Sequence, residues 1–256
     1  MIVAHCSFSL VILGALRGLL SCMSIAQNVD EIRDRIAVAA HRTGRNPEQV
    51  MLMAVGKTFP PERIREAYQV GLRVFGENRV QEFSGKAGVL GDLEDAEWHM
   101  IGHLQTNKAA KAVELFTAVD SVDSLRLAEK LNGSAQQMGK KLVALIEINV
   151  GGEAAKSGML PESSALDELL KAAPRFLQLE FRGLMTIPPF FDDPQRARPY
   201  FTKLRDLRDQ IAARKLSNVE MEVLSMGMSQ DFEVAVEEGS TCVRIGTAIF
   251  GERIKS

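Results

Sequence analysis

MLMAVGKTF, residues 51–59, is an apolar run that ends in Gly56 and is followed at once by Lys57. A run of this length bounded by a turn signal reads as a buried strand. The next residues, Pro60-Pro61-Glu62-Arg63, read as the start of a helix, because proline is tolerated in the first helical turn. Lys57 therefore stands where a strand gives way to a loop. Partial desolvation at such a position makes a lysine amine a better nucleophile. The alternative is a lysine that snorkels its charge out from a strand end.

The same strand-then-helix pattern repeats along the chain. Further apolar runs lie at 72–75, 97–101, 116–119, 141–150, 179–187, 221–224 and 242–245. KLVALIEINV, residues 141–150, is the clearest of them. Between them lie segments with helical spacing, such as Phe201, Leu204, Leu207 and Ile211 after Asp193-Pro194. Further helix signals are Thr106-Asn107 as a cap for KAAKAVELF, Ser124 to Asn132 with Gly133 as its stop, Pro161 as an opener, and a helix over 230–238. One helix leads the series, with Val29, Ile32, Ile36 and Ala39-Ala40 on its face, Asn28 as its N-cap and Gly44 as its close. Eight strands alternating with helices imply a parallel sheet with crossover helices. Eight units in this length predict a single (β/α)8 barrel, a TIM barrel, with a leading helix. An open doubly wound sheet is the competing architecture, but no GxGxxG follows the first strand.

Composition narrows the function classes. The chain has 256 residues and a formal net charge of -2, which gives no electrostatic footing for nucleic-acid binding. The hydrophobic and charged fractions, 46% and 25%, are those of a soluble globular protein. Cys6, Cys22 and Cys242 are too few and too scattered for a metal cluster or a disulfide framework. Residues 1–22 are apolar, but no lysine or arginine precedes Arg17, so the basic start of a signal peptide is missing. The stretch is short for a membrane span, which needs about 20 apolar residues. Leu19-Leu20-Ser21-Cys22 only faintly resembles a lipoprotein processing site, and Met23 opens an ordinary soluble sequence. The expectation is a non-native extension over 1–22, from an upstream start, and a barrel over 23–256 in the cytoplasm with no membrane partner. An export or anchoring signal is the alternative.

In such barrels the active site lies at the C-terminal ends of the strands. Lys57, Asn78, Ser225, Ser229, Arg244 and Thr247 fall at those ends, as do His103, Asp120, Asn149 and Thr186. The loops after strands seven and eight, where such barrels commonly hold a phosphate, read SMGMSQDF and RIGTAIFG. Gly227 and Gly246 let backbone N–H groups approach an anion, and Ser229, expected at a helix start, adds a hydroxyl and the helix dipole. Alternatively, Ser229 only caps its helix and the glycines only turn the chain. A phosphate site and a lysine on one face suggest a phosphorylated aldehyde held as a Schiff base, and pyridoxal 5'-phosphate (PLP) is such a molecule.

Six motifs, AVGKTFP, FGENRVQEF, WHMIGHLQTNK, KSGM, FRGLMTIP and LSMGMSQDFEVAVEEGSTCVRIGTAIFG, occur in this order. Together they closely resemble the YggS/PROSC family of PLP-binding homeostasis proteins, from about Met23 to Arg253. That family is similar to the barrel domain of bacterial alanine racemases. The resemblance implies that Lys57 carries the cofactor aldehyde and that Arg244 faces the pyridine nitrogen. An arginine does not readily give up a proton, so the ring nitrogen would stay unprotonated and the ring would be a weaker electron sink. Ser225, Ser229, Gly246 and Thr247 match cofactor-binding positions, the last three those of the phosphate, and Asn78 a position near the ring. His103 stands where the family commonly has proline and reads as a packed or solvent-facing residue. His99 reads as core, Met226 and Met228 as packing, and Asp120 and Asn149 as partners for backbone groups.

Two functions fit this site. Racemisation needs a base on each face of the bound amino acid. Alanine racemases supply a tyrosine from a further domain; this chain has only Tyr68 and Tyr200, both in predicted helices. The favoured reading is a carrier without efficient turnover, acting as a monomer, with PLP and PLP-dependent apo-enzymes as partners. The alternative is a racemase-like enzyme.

Overall fold

A computed structural model of the protein describes residues 24–153 and 156–252. The expected extension over 1–22 lies outside these residues. The leading helix, α1 (Ile25–Arg42), buries Val29, Ile32, Ile36 and Ala39 against the barrel. Its N-cap is Ser24, whose hydroxyl and Gln27 form a reciprocal capping box. Asn28, the expected cap, lies inside the first turn, and its amide donates to the Ile249 carbonyl at 2.8 Å. That bond ties the helix to the far end of the chain.

Eight parallel strands follow: β1 (Met51–Val55), β2 (Val74–Glu77), β3 (Glu97–Met100), β4 (Ala118–Val122), β5 (Leu142–Glu147), β6 (Leu179–Met185), β7 (Val219–Ser225) and β8 (Cys242–Ile245). They pair in sequence order, and β8 closes the barrel on β1 with Met51 opposite Cys242. All eight predicted strands are present, and the closed barrel replaces the open-sheet alternative. The crossover helices include α2 (Pro61–Gln69), α3 (Val80–Ala87), α4 (Ala109–Leu115), α5 (Leu125–Met138) and α6 (Ser164–Ala172). They also include α7 (Arg198–Ala213) and α8 (Phe232–Glu237), and a short α9 (Thr247–Phe250) follows β8.

Several helix limits differ from expectation. Gly133 lies inside α5, and the helix stops at Gly139, which takes the left-handed conformation with φ 63°. Thr106 and Asn107 form a 3-10 turn and cap nothing. Ser163, not Pro161, opens α6 by accepting from the Leu166 N–H. Asp193 caps a 3-10 turn that runs into α7, whose Phe201, Leu204, Leu207 and Ile211 are buried as expected.

The core has two shells. Between strands and helices, Phe75, Phe83, Leu131, Phe181 and Phe201 are fully buried, each contributing roughly 2–3 kcal/mol. Inside the barrel the apolar cluster is small: Met53, Val55, Val74, Ile101 and Cys242. Alternation along the strands turns His99, Glu147, Ser225 and Arg244 to the same interior. The lumen is therefore largely polar towards the C-terminal ends of the strands.

Candidate functional site

A cavity of about 590 Å³ opens at the C-terminal end of the barrel. Its volume is in the usual range for a cofactor site. Lys57 reaches it from the loop after β1, Asn78 from the end of β2, and Arg244 from β8. Ser229, Gly246 and Thr247 line it from the loops after β7 and β8. The structure thus brings six of the seven predicted site residues to one cavity. The seventh, Ser225, is fully buried behind that wall and acts on it through Arg244.

Arg244 is 3% exposed and is held by three acceptors. One terminal nitrogen donates to the Ser225 carbonyl at 2.6 Å and the Ser225 hydroxyl at 2.8 Å; the other donates to the Thr186 carbonyl at 2.7 Å. Burial lowers its pKa, while Asp120, Asp231 and Glu147 act the other way. These bonds hold the guanidinium, a donor-only group, in the wall of the cavity.

The loops after β7 and β8 form one cradle. Gly227 (φ 96°) allows a turn closed to other residues, since a Cβ there would lie 2.6 Å from Ala235 Cβ and 2.9 Å from Phe232 Cα. The Arg244 N–H donates to the Gly227 carbonyl at 3.0 Å, locking this loop to β8. Thr247 Oγ1 lies 3.3 Å from Ser229 Oγ, so the two hydroxyls sit side by side. Among the described residues, the backbone N–H groups of Ser229, Gln230, Gly246 and Thr247 donate to no protein acceptor. Such a set of donors suits a phosphate. Ser229 itself lies in a turn before α8 rather than at its first residue, so the donors are those of a turn, not of a helix end.

The other strand-end residues divide. His99 is a buried lumen residue, with Nδ1 3.0 Å from Asp120 Oδ1. Asp120 therefore serves a side chain, not the backbone. Asn149 does serve the backbone, donating to the Glu153 carbonyl at 2.8 Å. His103 lines the cavity, half exposed, with Nδ1 3.0 Å from Asp123 Oδ2. Met226 is buried, whereas Met228 lines the cavity. Tyr68 bonds Asp95 and Tyr200 stacks on Phe191 at 5.7 Å; neither lines the cavity.

Sequence reasoning missed Glu147. It lines the cavity, 5% exposed; Ser157 donates to one oxygen at 2.9 Å, and the other has no partner among the described residues. Burial raises its pKa, with Ser157 opposing. A lone carboxylate in the apolar run LVALIE was the available signal.

Among the described residues, no group of His, Cys, Asp and Glu side chains is placed to hold a metal. No helix among them is long and apolar enough to cross a membrane.

Known proteins resemble this chain in sequence and in fold. The profile of the family described as "Alanine racemase, N-terminal domain" matches residues 27–254. A pyridoxal phosphate homeostasis protein of Aquifex aeolicus is 46% identical over 231 residues, covering 90% of this chain and 99% of the relative. That of Escherichia coli K12 is 42% identical, covering 90% and 97%. The solved structure of PipY from Synechococcus elongatus with PLP bound is similar at 36% identity and a TM-score of 0.77, covering 89% of this chain and 100% of PipY. An alanine racemase of Clostridium difficile shares the fold at 14% identity and a TM-score of 0.65. With relatives this similar over nine-tenths of its length, the chain belongs to the family of pyridoxal phosphate homeostasis proteins, built on the alanine racemase N-terminal domain.

Proposed function

We propose that this chain binds PLP in the barrel cavity and keeps it for delivery inside the cell, without efficient turnover of an amino acid. The observation that carries this reading is the joint presence, in one cavity of about 590 Å³, of Lys57, Arg244 and the donor cradle of Ser229, Gly246 and Thr247. The donor set fits the cofactor's chemistry. Lys57 would supply the amine that joins the aldehyde. The unpaired N–H groups and two hydroxyls would take the phosphate, and Arg244 would offer a donor to the ring nitrogen. Asn78 would stand near the ring, and Ser225 fixes Arg244 from behind. PLP, when bound, supplies an electron sink. Arg244 works against that use, because a donor beside the ring nitrogen leaves it without a proton of its own.

Phosphate contacts bind free and substrate-bound cofactor alike, so they give affinity without accelerating chemistry. The position of both tyrosines away from the cavity supports the carrier reading. The racemase-like alternative draws on His103, Lys156 and Glu147, three titratable groups in the wall. We place the binding unit at residues 23–256, in the cytoplasm and as a monomer, since all the groups named come from one chain. Apo-enzymes that use PLP are the partners this reading implies. The test incubates the PLP-loaded protein with each common amino acid in deuterated water. Transfer of PLP to an apo-enzyme without deuterium entering Cα is expected. Exchange at about 1 per second or faster would establish an enzyme instead.

A further inference from the structure

The loop that presents Lys57 is a strained turn held from outside by a charged cluster. Phe59 N–H donates to the Gly56 carbonyl at 3.1 Å, closing a four-residue turn with Lys57 and Thr58 at its centre. Thr58 has φ 66°. A β-branched residue in the left-handed region is an outlier, and holding it there costs on the order of 1–2 kcal/mol. Such strain persists only where the surroundings over-determine it.

Those surroundings come from α3 and the end of β2. Glu82 Oε1 accepts the Thr58 N–H at 2.5 Å. Lys86 Nζ donates to the Gly56 carbonyl at 3.0 Å, to Glu77 Oε1 at 3.1 Å and to Glu82 Oε1 at 2.9 Å. The peptide groups on both sides of Lys57 are thus gripped by one cluster. Lys86 and Glu77 are buried, and an ammonium with three donors meets three acceptors. Breaking a buried pair of this kind is strongly destabilising, so the cluster is a firm support.

We infer that Lys86 and Glu82, braced by Glu77, are positioning residues that hold the Gly56–Phe59 turn in its strained form and so aim Lys57 at the cofactor aldehyde. This rests on Lys57 being the anchor. Condensation joins Lys57 Nζ to the aldehyde carbon and releases one water, so its rate depends on where that nitrogen points. The phosphate cradle lies on the loops after β7 and β8; the turn touches that region through Phe59, whose ring lies 4.8 Å from that of Phe250 in α9, and the clamp residues Glu82 and Lys86 bond none of the cradle residues.

The test uses the full chain and two measurements. Linkage formation after mixing with PLP is quenched by borohydride at successive times, and the trapped pyridoxyl is counted. Affinity for pyridoxine 5'-phosphate, which has no aldehyde, reports the cradle alone. Lys86→Met and Glu82→Ala should each slow trapping about 10- to 100-fold, the scale of a misplaced reacting group, with pyridoxine 5'-phosphate affinity changed less than about twofold. Leu131→Ala, a destabilising change in the outer core, should trap at the wild-type rate. A wild-type trapping rate in either folded clamp variant overturns the inference, and so does equal slowing in Leu131→Ala. If Lys86→Met does not fold, Glu82→Ala decides, since Glu82 is partly exposed. Lys57→Ala separates the two ideas: undiminished trapping there sinks the anchor assignment, whereas lost trapping there beside normal trapping in the clamp variants sinks only the clamp.

Discussion

Raising the pH should weaken the barrel through His99. Its Nδ1 lies 3.0 Å from Asp120 Oδ1, and its Nε2 lies 3.8 Å from Glu97 Oε2. Burial alone would lower its pKa, but Asp120 and then Glu97 outweigh burial and push it up to about 9. The folded chain therefore holds this proton more tightly than the unfolded chain, where the value is 6.5. The resulting stability is fully present below pH 6.5 and is lost as the pH rises through 9. A displacement from 6.5 to about 9, at about 1.4 kcal/mol for each pH unit, gives about 3 kcal/mol. Urea unfolding of the cofactor-free protein measures it. Trp98 reports the transition, since its ring lies 4.6 Å from Phe83 and 5.0 Å from Phe75 in the outer core. Wild type should lose about 3 kcal/mol more than His99→Gln between about pH 6 and 9. Glu77, pushed up to about 7 by burial, and Cys242, pushed up to about 12, titrate in both proteins and cancel in the comparison. Parallel stability profiles for the two proteins would refute the argument.

Gly183→Ala should destabilise the barrel by more than about 3 kcal/mol or prevent folding, because its Cβ would lie 1.9 Å from the Val223 carbonyl oxygen; thermal melting by circular dichroism checks this. Ser240→Ala should cost about 1–3 kcal/mol and weaken pyridoxine 5'-phosphate binding, measured by calorimetry. The fully buried Ser240 hydroxyl sits 3.2, 2.7 and 3.1 Å from the Leu224, Met226 and Cys242 carbonyls, and so ties the cradle loop to β8. A chain begun at Met23 should bind PLP and melt as the full chain does, since the family match starts at residue 27; loss of binding would give residues 1–22 a role.

The barrel was legible because all eight strands are apolar runs separated by helical spacing, and KLVALIEINV could be little else. The strand-end residues followed from the fold, since barrels place their sites there. What stayed hidden has one physical origin. Strands buried on both faces read as continuous apolar runs, so alternation does not reveal which side chains enter the lumen. His99, Asp120 and Glu147 were therefore visible as residues but not as partners. The clamp was hidden for another reason: Glu82 and Lys86 have the spacing of an ordinary exposed helix pair. Only the turn at Gly56–Phe59, with Thr58 at φ 66°, gives them their place. Gly133 misled because glycine inside a helix costs only about 1 kcal/mol, which the buried Leu127, Leu131 and Ala135 outweigh.

The central claim is that Lys57 holds the cofactor. Borohydride reduction of the PLP-loaded protein, followed by proteolysis and mass spectrometry, tests it directly. The account predicts one pyridoxyl group, on the peptide carrying Lys57. A pyridoxyl group on Lys156, which lines the same cavity, or on Lys108, with Lys57 unlabelled, would contradict it.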